Sequence, residues 1–264
     1  MSLSPNLSVM VKAVEKAARS LVRDFGEVEK LQVSVKGPGD FVSRADRRSE
    51  EIIVESLQKD RPEWGFLNEE GGTIAGSDSR YRFIVDPLDG TSNFLHGIPH
   101  WCITMALEKD GEIIAGVTYD PIRQELFRAE KGGGSFMNNT RMRVSGRKDL
   151  DRAVVALGTV LRSPADIQNF QNLWAKIFTN CAGVRQFAVA GLNLAYVAAG
   201  RFDINYMLGG VKQWDIAAGI LLIREAGGTV TDLKLGTDMM NRGEIFAANP
   251  ILHAKFQSLL LEKN

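Results

Sequence analysis

The 264-residue sequence contains few of the residues on which thiol and imidazole chemistry depends. There are two cysteines, Cys102 and Cys181, and they form neither a CxxC pair nor a disulfide framework. The three histidines show no spacing typical of metal ligands. We therefore expect other side chains to carry the chemistry of this chain.

Charge of one sign and long apolar runs are also lacking. The 32 basic and 32 acidic residues cancel, and no block of like charge is typical of a nucleic-acid-binding arm, so we expect no direct nucleic-acid ligand. No segment approaches the roughly 18 uninterrupted apolar residues of a membrane span. The N-terminal segment lacks a secretory apolar stretch. The sequence predicts a cytoplasmic protein that does not bind membranes.

Hydrophobic residues make up 44% of the chain, enough for a sizeable core, and their spacing predicts both helices and strands. Three- and four-residue spacing predicts helices over 7–25, 46–59, 164–178 and 190–199, and others after Trp214 and Pro250. β-rich runs predict strands before Glu69 and up to Asp86, a meander over 103–136, and strands near 153–157, 202–206 and 244–248. Two antiparallel-rich sheet regions layered with helices make an α+β fold. We expect a single domain, 1–264, with two sub-lobes of roughly 1–150 and 151–264.

The most informative segment is Asp86-Pro87-Leu88-Asp89-Gly90-Thr91-Ser92. An apolar strand is predicted to end at Asp86, because Pro87 cannot continue the hydrogen-bond ladder. Gly90 gives the backbone room to turn or to approach a ligand, and Thr91 is typical of a helix start. Two aspartates beside the amides of a helix N-terminus can hold a divalent cation and a phosphate together. The alternative interpretation is a plain Asp-Gly turn with a helix cap.

Further carboxylates stand at the ends of other predicted elements. Glu69 and Glu70 follow a strand, Asp40 and Asp46 flank the start of the second helix, and Asp215 opens a helix. Each alone also fits a solvated surface or a helix cap. Together they lie where α+β proteins assemble their sites. Without a cation, so many close carboxylates would repel one another, so the cluster is difficult to explain as a stability feature.

These motifs resemble those of the inositol monophosphatase family, bacterial SuhB type, within the lithium-sensitive magnesium-dependent phosphatase superfamily. Asp40-x-Val42-Ser43-x-x-Asp46, Glu69-Glu70, Asp86-Pro87-Leu88-Asp89-Gly90-Thr91 and Trp214-Asp215 occur in the order and spacing of the family. The resemblance implies a layered α-β-α-β-α sandwich of the inositol monophosphatase and fructose-1,6-bisphosphatase type. It also implies Mg²⁺-dependent hydrolysis of a small phosphate monoester by a metal-activated water, with inositol 1-phosphate as the leading substrate.

The resemblance further implies roles for individual residues, with about two to three Mg²⁺ ions per subunit. One ion would be held by Glu69, Asp86 and the main-chain carbonyl of Leu88. A second would be held by Asp86, Asp89 and Asp215, and a third, looser ion would lie near Glu69. Thr91 and Asp46 would orient and deprotonate the attacking water. Phosphate or substrate contacts are implied for Gly90, Thr91, Ser92, Ala190 and Asp215, and accessory positions are Lys36, Asp40, Glu70 and Lys212.

One position departs from the family pattern. Leu208 stands seven residues before Asp215, where family members commonly place a glutamate that binds sugar or inositol hydroxyls. Leucine cannot accept a hydrogen bond, so strict inositol specificity does not follow from the sequence. Alternatives are a related phosphatase of fructose 1,6-bisphosphate, 3′-phosphoadenosine 5′-phosphate or histidinol phosphate, or a SuhB-like regulatory protein of RNA metabolism with incidental phosphatase activity. The resemblance also implies a homodimer.

Overall fold

The computed structural model describes residues 3–27, 33–37, 40–158 and 164–261. Its helices are α1 (Pro5–Phe25), α2 (Arg44–Asp60), α3 (Thr91–Leu95), α4 (Pro164–Asn180), α5 (Ala190–Ala198), α6 (Gln213–Glu225), α7 (Met239–Arg242) and α8 (Pro250–Leu261). Its strands are β1 (Val33–Gly37), β2 (Asp40–Ser43), β3 (Trp64–Asn68), β4 (Gly72–Ile74), β5 (Asp78–Asp89), β6 (Cys102–Lys109), β7 (Glu112–Asp120), β8 (Glu125–Glu130), β9 (Gly134–Met137), β10 (Thr140–Arg141), β11 (Val154–Gly158), β12 (Gly183–Arg185), β13 (Ile204–Met207), β14 (Thr229–Thr231) and β15 (Ile245–Ala248).

The predicted long helices all form, and local signals explain where they start. Pro5 opens α1, where the missing N–H of proline costs nothing, and the Ser4 side chain accepts a hydrogen bond from the Leu7 N–H at 3.2 Å. One face of α1 is buried from Leu7 to Leu21, as its apolar spacing predicts. The hairpin of β1 and β2 was not predicted.

The strands beyond this hairpin form two sheets. Eight strands in the order β10-β9-β8-β7-β6-β5-β3-β4 make the first sheet, in which β3 and β5 are the parallel pair. Five strands in the order β12-β11-β13-β15-β14 make the second. Its β11 runs parallel to both neighbours, whereas β13, β15 and β14 are antiparallel. The prediction of a second antiparallel-rich sheet was therefore wrong, because the helices α4 and α5 act as crossovers and return the chain in the same direction.

The layers alternate as the fold prediction requires. Helices α1 and α2 cover one face of the first sheet, and α5 and α6 fill the space between the two sheets. Helices α4 and α8 cover the far face of the second sheet. This order of helix, sheet, helix, sheet, helix confirms the α-β-α-β-α sandwich. Among the helices of the described ranges, none is both long and apolar enough to cross a membrane.

Helix α6 packs directly on the first sheet where β7 has a glycine, Gly116. A Cβ atom added at Gly116 in β7 would lie 3.0 Å from Ala218 Cα and 3.1 Å from Ala218 O in α6. These are backbone atoms that cannot rotate away, so a side chain at 116 would push the helix off the sheet. Because α6 also carries Asp215, this contact sets the position of a candidate site residue.

We expect Gly116→Ala to lower the free energy of unfolding by about 1–3 kcal/mol, the usual cost of overpacking a close contact. Thermal or urea unfolding would measure the change. Gly146→Ala is the matched control, because nothing lies within 4 Å of an added Cβ there. Equal stability of the two variants would contradict the packing argument.

Candidate active site

Strand β5 delivers two aspartates to one place by means of a bulge. It continues to Asp89, and its pairing with β6 shifts register between Asp86, opposite Thr104, and Asp89, opposite Cys102. The prediction that the strand ends at Asp86 was therefore wrong. Pro87 is tolerated because it lies inside the irregularity, where its missing N–H removes no ladder hydrogen bond. The Leu88 N–H instead donates to Asp86 Oδ1 at 3.0 Å.

Gly90 makes the turn from β5 into α3. Its φ of 98° lies in the left-handed region, which favours glycine. A Cβ there would lie 2.9 Å from Val189 Cγ2 and 3.2 Å from Trp101 Cβ, so the space also excludes a side chain. Thr91 is the first residue of α3 and Ser92 is exposed beside it. The structure confirms the predicted turn from a strand into a helix at Gly90.

The carboxylates of Asp86 and Asp89 are buried close to other acids. Asp86 is 1% exposed, and burial raises its pKa well above the usual range, with Glu69, Asp89, Asp215 and Asp46 adding like charge. Burial likewise raises the pKa of Asp89, with the charge of Asp215 next in size. The structure thus brings together five of the acids that the sequence motifs singled out, although they come from β5, α2, α6 and the turn after β3.

A second grouping of acids lies at the same place. One ligand oxygen each from Asp46, Glu69 and Glu70 falls within 4.8 Å of the others. The turn that carries Glu69 and Glu70 is held by Glu50, which accepts hydrogen bonds from the N–H groups of Glu70 and Gly71 at 2.8 and 2.7 Å. Sequence reasoning missed Glu50. The signal was a charged residue at helical spacing from the apolar residues Ile53 and Leu57 of α2.

Thr91 connects the turn to α2. Its hydroxyl lies 3.2 Å from Asp46 Oδ2 and 2.9 Å from the carbonyl oxygen of Leu88. Asp46 lies in the first turn of α2 rather than before it, because the helix begins at Arg44. Ser49, one turn later, donates to the carbonyl of Pro87 at 2.8 Å and fixes the bulge to the helix. Sequence reasoning missed Ser49 as well.

Asp215 lies in the first turn of α6, where it accepts the backbone N–H of Lys212 at 2.6 Å. The Lys212 side chain is exposed. Lys36 and Asp40 belong to β1 and β2, and their side chains lie outside the described part of the structure.

Helix α5 approaches Asp89 with its N-terminus. The Gly191 N–H donates to Asp89 Oδ2 at 2.6 Å, Ala190 supplies a second backbone hydrogen bond, and the Cys102 thiol lies 3.8 Å from the same oxygen. Burial raises the pKa of Cys102 well above its usual range, so the thiol keeps its proton and can donate to the carboxylate. A helix N-terminus favours a negative charge, which offsets part of the cost of burying Asp89.

A cavity of about 210 Å³ opens beside Asp89 and Asp215. Ala190, Met207 and Val211 are among its lining residues. Leu208 is not among them. It packs instead against the hydrophobic cluster on the far side of the second sheet, which includes Tyr206 and residues of α8. The departure from the family pattern therefore has a structural consequence, since this leucine joins a hydrophobic cluster.

The site fits a hard divalent cation. Buried carboxylates that raise the pKa of one another are stable in their ionised form only when positive charge lies among them. The donors are carboxylate and carbonyl oxygens, which suit Mg²⁺. Beside them stand the N-termini of α3 and α5, where anions are favoured. The fold and the site together define the class of cation-assisted phosphate hydrolases.

Comparison with known proteins agrees with this class. The family model of the inositol monophosphatase family matches residues 2–263. An inositol-1-monophosphatase of Mesorhizobium japonicum is 52% identical over 252 residues, covering 96% of this chain and 94% of the relative. The Nus factor SuhB of Vibrio cholerae is 40% identical, covering 94% and 92%. The crystal structure of the extragenic suppressor protein SuhB of Bartonella henselae superposes with a TM-score of 0.94 at 49% identity, covering 99% of this chain and 100% of that one.

The chain belongs to the inositol monophosphatase family. It is a phosphoric monoester hydrolase of a family that depends on metal ions. The resemblance seen in the sequence motifs is thereby confirmed, and the alternative functions are not favoured.

The contact between α5 and Asp89 leads to a test of this geometry. A Cβ at Gly191 would lie 3.0 Å from Asp89 Oδ2 and 3.2 Å from Cys102 Sγ. We expect Gly191→Ala to displace Asp89 and to lower kcat/KM for phosphate release by about tenfold or more, since each 1.4 kcal/mol of strain in the transition state is a factor of ten. Adding Cys102→Ala should restore part of the loss, because it removes one of the three crowded atoms, the third being Thr104 Cβ at 3.3 Å.

Steady-state phosphate release by the single and double variants gives this comparison, with Cys102→Ala alone as the control. If Gly191→Ala retains wild-type activity, or if Cys102→Ala does nothing to rescue it, the contact does not position Asp89.

Proposed function

We propose that this chain hydrolyses inositol 1-phosphate, or a closely similar polyol phosphate, with Mg²⁺ held by the buried carboxylates. The observation that carries the proposal is the burial of Asp86 and Asp89 beside the like charges of Glu69 and Asp215, which raises the pKa of both aspartates well above the usual range. The names of the relatives at about 50% identity support the substrate.

The residues that would hold Mg²⁺ are those implied by the sequence motifs. Glu69, Asp86 and the Leu88 carbonyl form one set, and Asp86, Asp89 and Asp215 form another. The nearness of Asp46, Glu69 and Glu70 supports a further, looser ion at that end of the cluster. Bound Mg²⁺ would neutralise charge on the phosphate oxygens and lower the pKa of the attacking water.

The proton of the attacking water leaves through Thr91 and Asp46 in this proposal. The Thr91 hydroxyl can donate its single proton to Asp46 Oδ2, 3.2 Å away, and its lone pair then accepts a proton from the water. Asp46 is 1% exposed, so bulk water does not compete for this contact. Asp46 therefore acts as the general base and Thr91 orients the water.

Gly90, Thr91 and Ser92 would receive the phosphate. The first amides of a helix have no acceptors within the helix, which leaves those of α3 available to an anion. The small Gly90 allows the backbone to approach closely. Ala190 and Asp215 border the cavity that would accept the alcohol part of the ester.

A homodimer is the second part of the proposal. Helix α4 exposes Ile167, Trp174 and Phe178 to solvent, at 44%, 39% and 56% of their surface, and the rings of Trp174 and Phe178 stack at 4.7 Å. Clustered exposed apolar side chains mark interaction surfaces more often than isolated ones. A cytoplasmic location and the lack of a direct nucleic-acid ligand stay predictions of the sequence.

The first test is phosphate release from inositol 1-phosphate with Mg²⁺ and with a chelator, in wild type and in Asp89→Asn. We expect the variant to lose about a hundredfold or more in kcat/KM, because a displaced cation removes several kcal/mol of charge stabilisation. Without metal its melting temperature should not fall below that of wild type, since the substitution relieves repulsion among buried acids. Its gain in melting temperature on adding Mg²⁺ should shrink.

Asp110→Asn is the matched control, because Asp110 is exposed and its φ of 51° tolerates asparagine. Wild-type turnover and an unchanged Mg²⁺ response in Asp89→Asn would show that the metal assignment is wrong. Turnover that persists in chelator would reject the metal-dependent mechanism.

Thr91→Ala tests the water-activation role separately. We expect kcat to fall by about a hundredfold while KM stays within about threefold, since general-base assistance acts in the transition state. Thr91→Ser keeps the hydroxyl and should recover most of kcat. Thr73→Ala, on the exposed edge strand β4, is the control. A rise in KM with kcat unchanged would assign Thr91 to substrate binding instead.

A further inference from the structure

The cavity beside the acids has two chemically different parts. At one end lie the carboxylates of Asp89 and Asp215, and the remaining walls are mainly backbone and apolar side chains such as Met207 and Val211. Apart from the two acids, the polar side chains among its described lining residues are those of Gln186 and Asn193. Gln186 is exposed and stands at the rim, whereas Asn193 is 1% exposed and lies inside.

Asn193 holds a buried side-chain oxygen that no hydrogen bond among the described residues satisfies. Its backbone N–H already bonds to the Val189 carbonyl at 3.1 Å, as expected within α5. Its side-chain Oδ1 is buried and finds no hydrogen-bond partner within the described ranges of the chain. Burying a polar group without a partner costs free energy, so such a group in a native protein calls for an explanation. Because Asn193 lines the cavity, a ligand can supply the missing partner.

A hydroxylated substrate needs such a partner inside the cavity. The alcohol part of a polyol phosphate carries several hydroxyl groups, and a pocket discriminates between them through buried hydrogen-bonding groups. Leu208 cannot serve, because it is apolar and packs on the far side of the second sheet. The carboxamide of Asn193 both donates and accepts, as a hydroxyl does.

We propose that Asn193 is a specificity-determining residue whose carboxamide binds a hydroxyl group of the alcohol part of the substrate. The phosphate end lies towards Asp89 and Asp215, and the alcohol extends along the cavity to Asn193. This inference rests on the proposed phosphatase function and deepens it, because it assigns recognition of the alcohol to α5 instead of position 208.

The test compares two esters in Asn193→Leu, a change that keeps the side-chain size and removes the amide. Inositol 1-phosphate carries hydroxyl groups, whereas phenyl phosphate offers none. We expect KM for inositol 1-phosphate to rise by about tenfold, as for the loss of one buried hydrogen bond, with kcat/KM for phenyl phosphate within about twofold. Competitive inhibition by free inositol should weaken in parallel, whereas inhibition by inorganic phosphate should not.

The matched control is Asn205→Leu. Asn205 in β13 is also fully buried, and neither of its side-chain amide atoms has a partner in the described structure, yet it does not line the cavity. We expect the ratio of the KM for inositol 1-phosphate to the KM for phenyl phosphate in Asn205→Leu to equal the ratio in the wild type. Thermal unfolding should show no loss of stability in Asn193→Leu, because an unsatisfied polar group has been replaced by an apolar one. If Asn193→Leu does not fold, the same two KM values are measured in Asn193→Ala.

Equal changes for both esters, or no change for either, would overturn the role of Asn193 while leaving the phosphatase function intact. A wild-type enzyme that cleaves neither ester would remove the proposed function, and this inference with it. A selective shift in Asn205→Leu as large as that in Asn193→Leu would show that core packing, not the cavity, determines the preference.

Discussion

Repulsion among the buried carboxylates of Asp86 and Asp89 and the half-buried ones of Glu69 and Asp215 is the constraint on which the arrangement of this site depends. Ionised acids in a dry interior destabilise the fold unless positive charge or hydrogen-bond donors surround them. The protein supplies some of this itself, through the Leu88 N–H on Asp86 and the N-terminus of α5 on Asp89. In our proposal bound cations would supply the remainder, so cation binding and the stability of the fold would be coupled at this site.

The layered architecture explains how four helix N-termini come to face one cluster of acids. Asp46 lies in the first turn of α2, Thr91 opens α3, Gly191 lies in the first turn of α5, and Asp215 lies in that of α6. Each helix start carries a partial positive charge, which favours both carboxylates and phosphate. Because α5 and α6 occupy the layer between the sheets, they can reach β5 from the side opposite to α2. The close contacts at Gly116 and Gly191 set the distances at which they do so.

In our proposal, hydrolysis and substrate recognition depend on different parts of the same site. The acids belong to the end of β5, the turn after β3 and nearby helix starts, whereas the part of the cavity that would face the alcohol is formed by α5 and by the segment after β13. Changes in the second region can alter the substrate without disturbing the cation site. Leu208 and Asn193 illustrate this freedom, since one joins a hydrophobic cluster and the other brings a polar group into the cavity. Proteins retain unsatisfied buried groups where function requires them.

The sequence by itself determined the acids, the helices and the order of the motifs, because proline, glycine and apolar spacing act over a few residues. The turn at Gly90 and the starts of α3 and α5 could be predicted for this reason. Only the tertiary structure decided what depends on contacts between distant segments. The bulge that carries β5 past Pro87, the parallel strands of the second sheet, and the support given by Ser49, Glu50 and Gly191 are of this kind. Pairing partners and packing distances are properties of the folded chain, and no local pattern in the sequence encodes them.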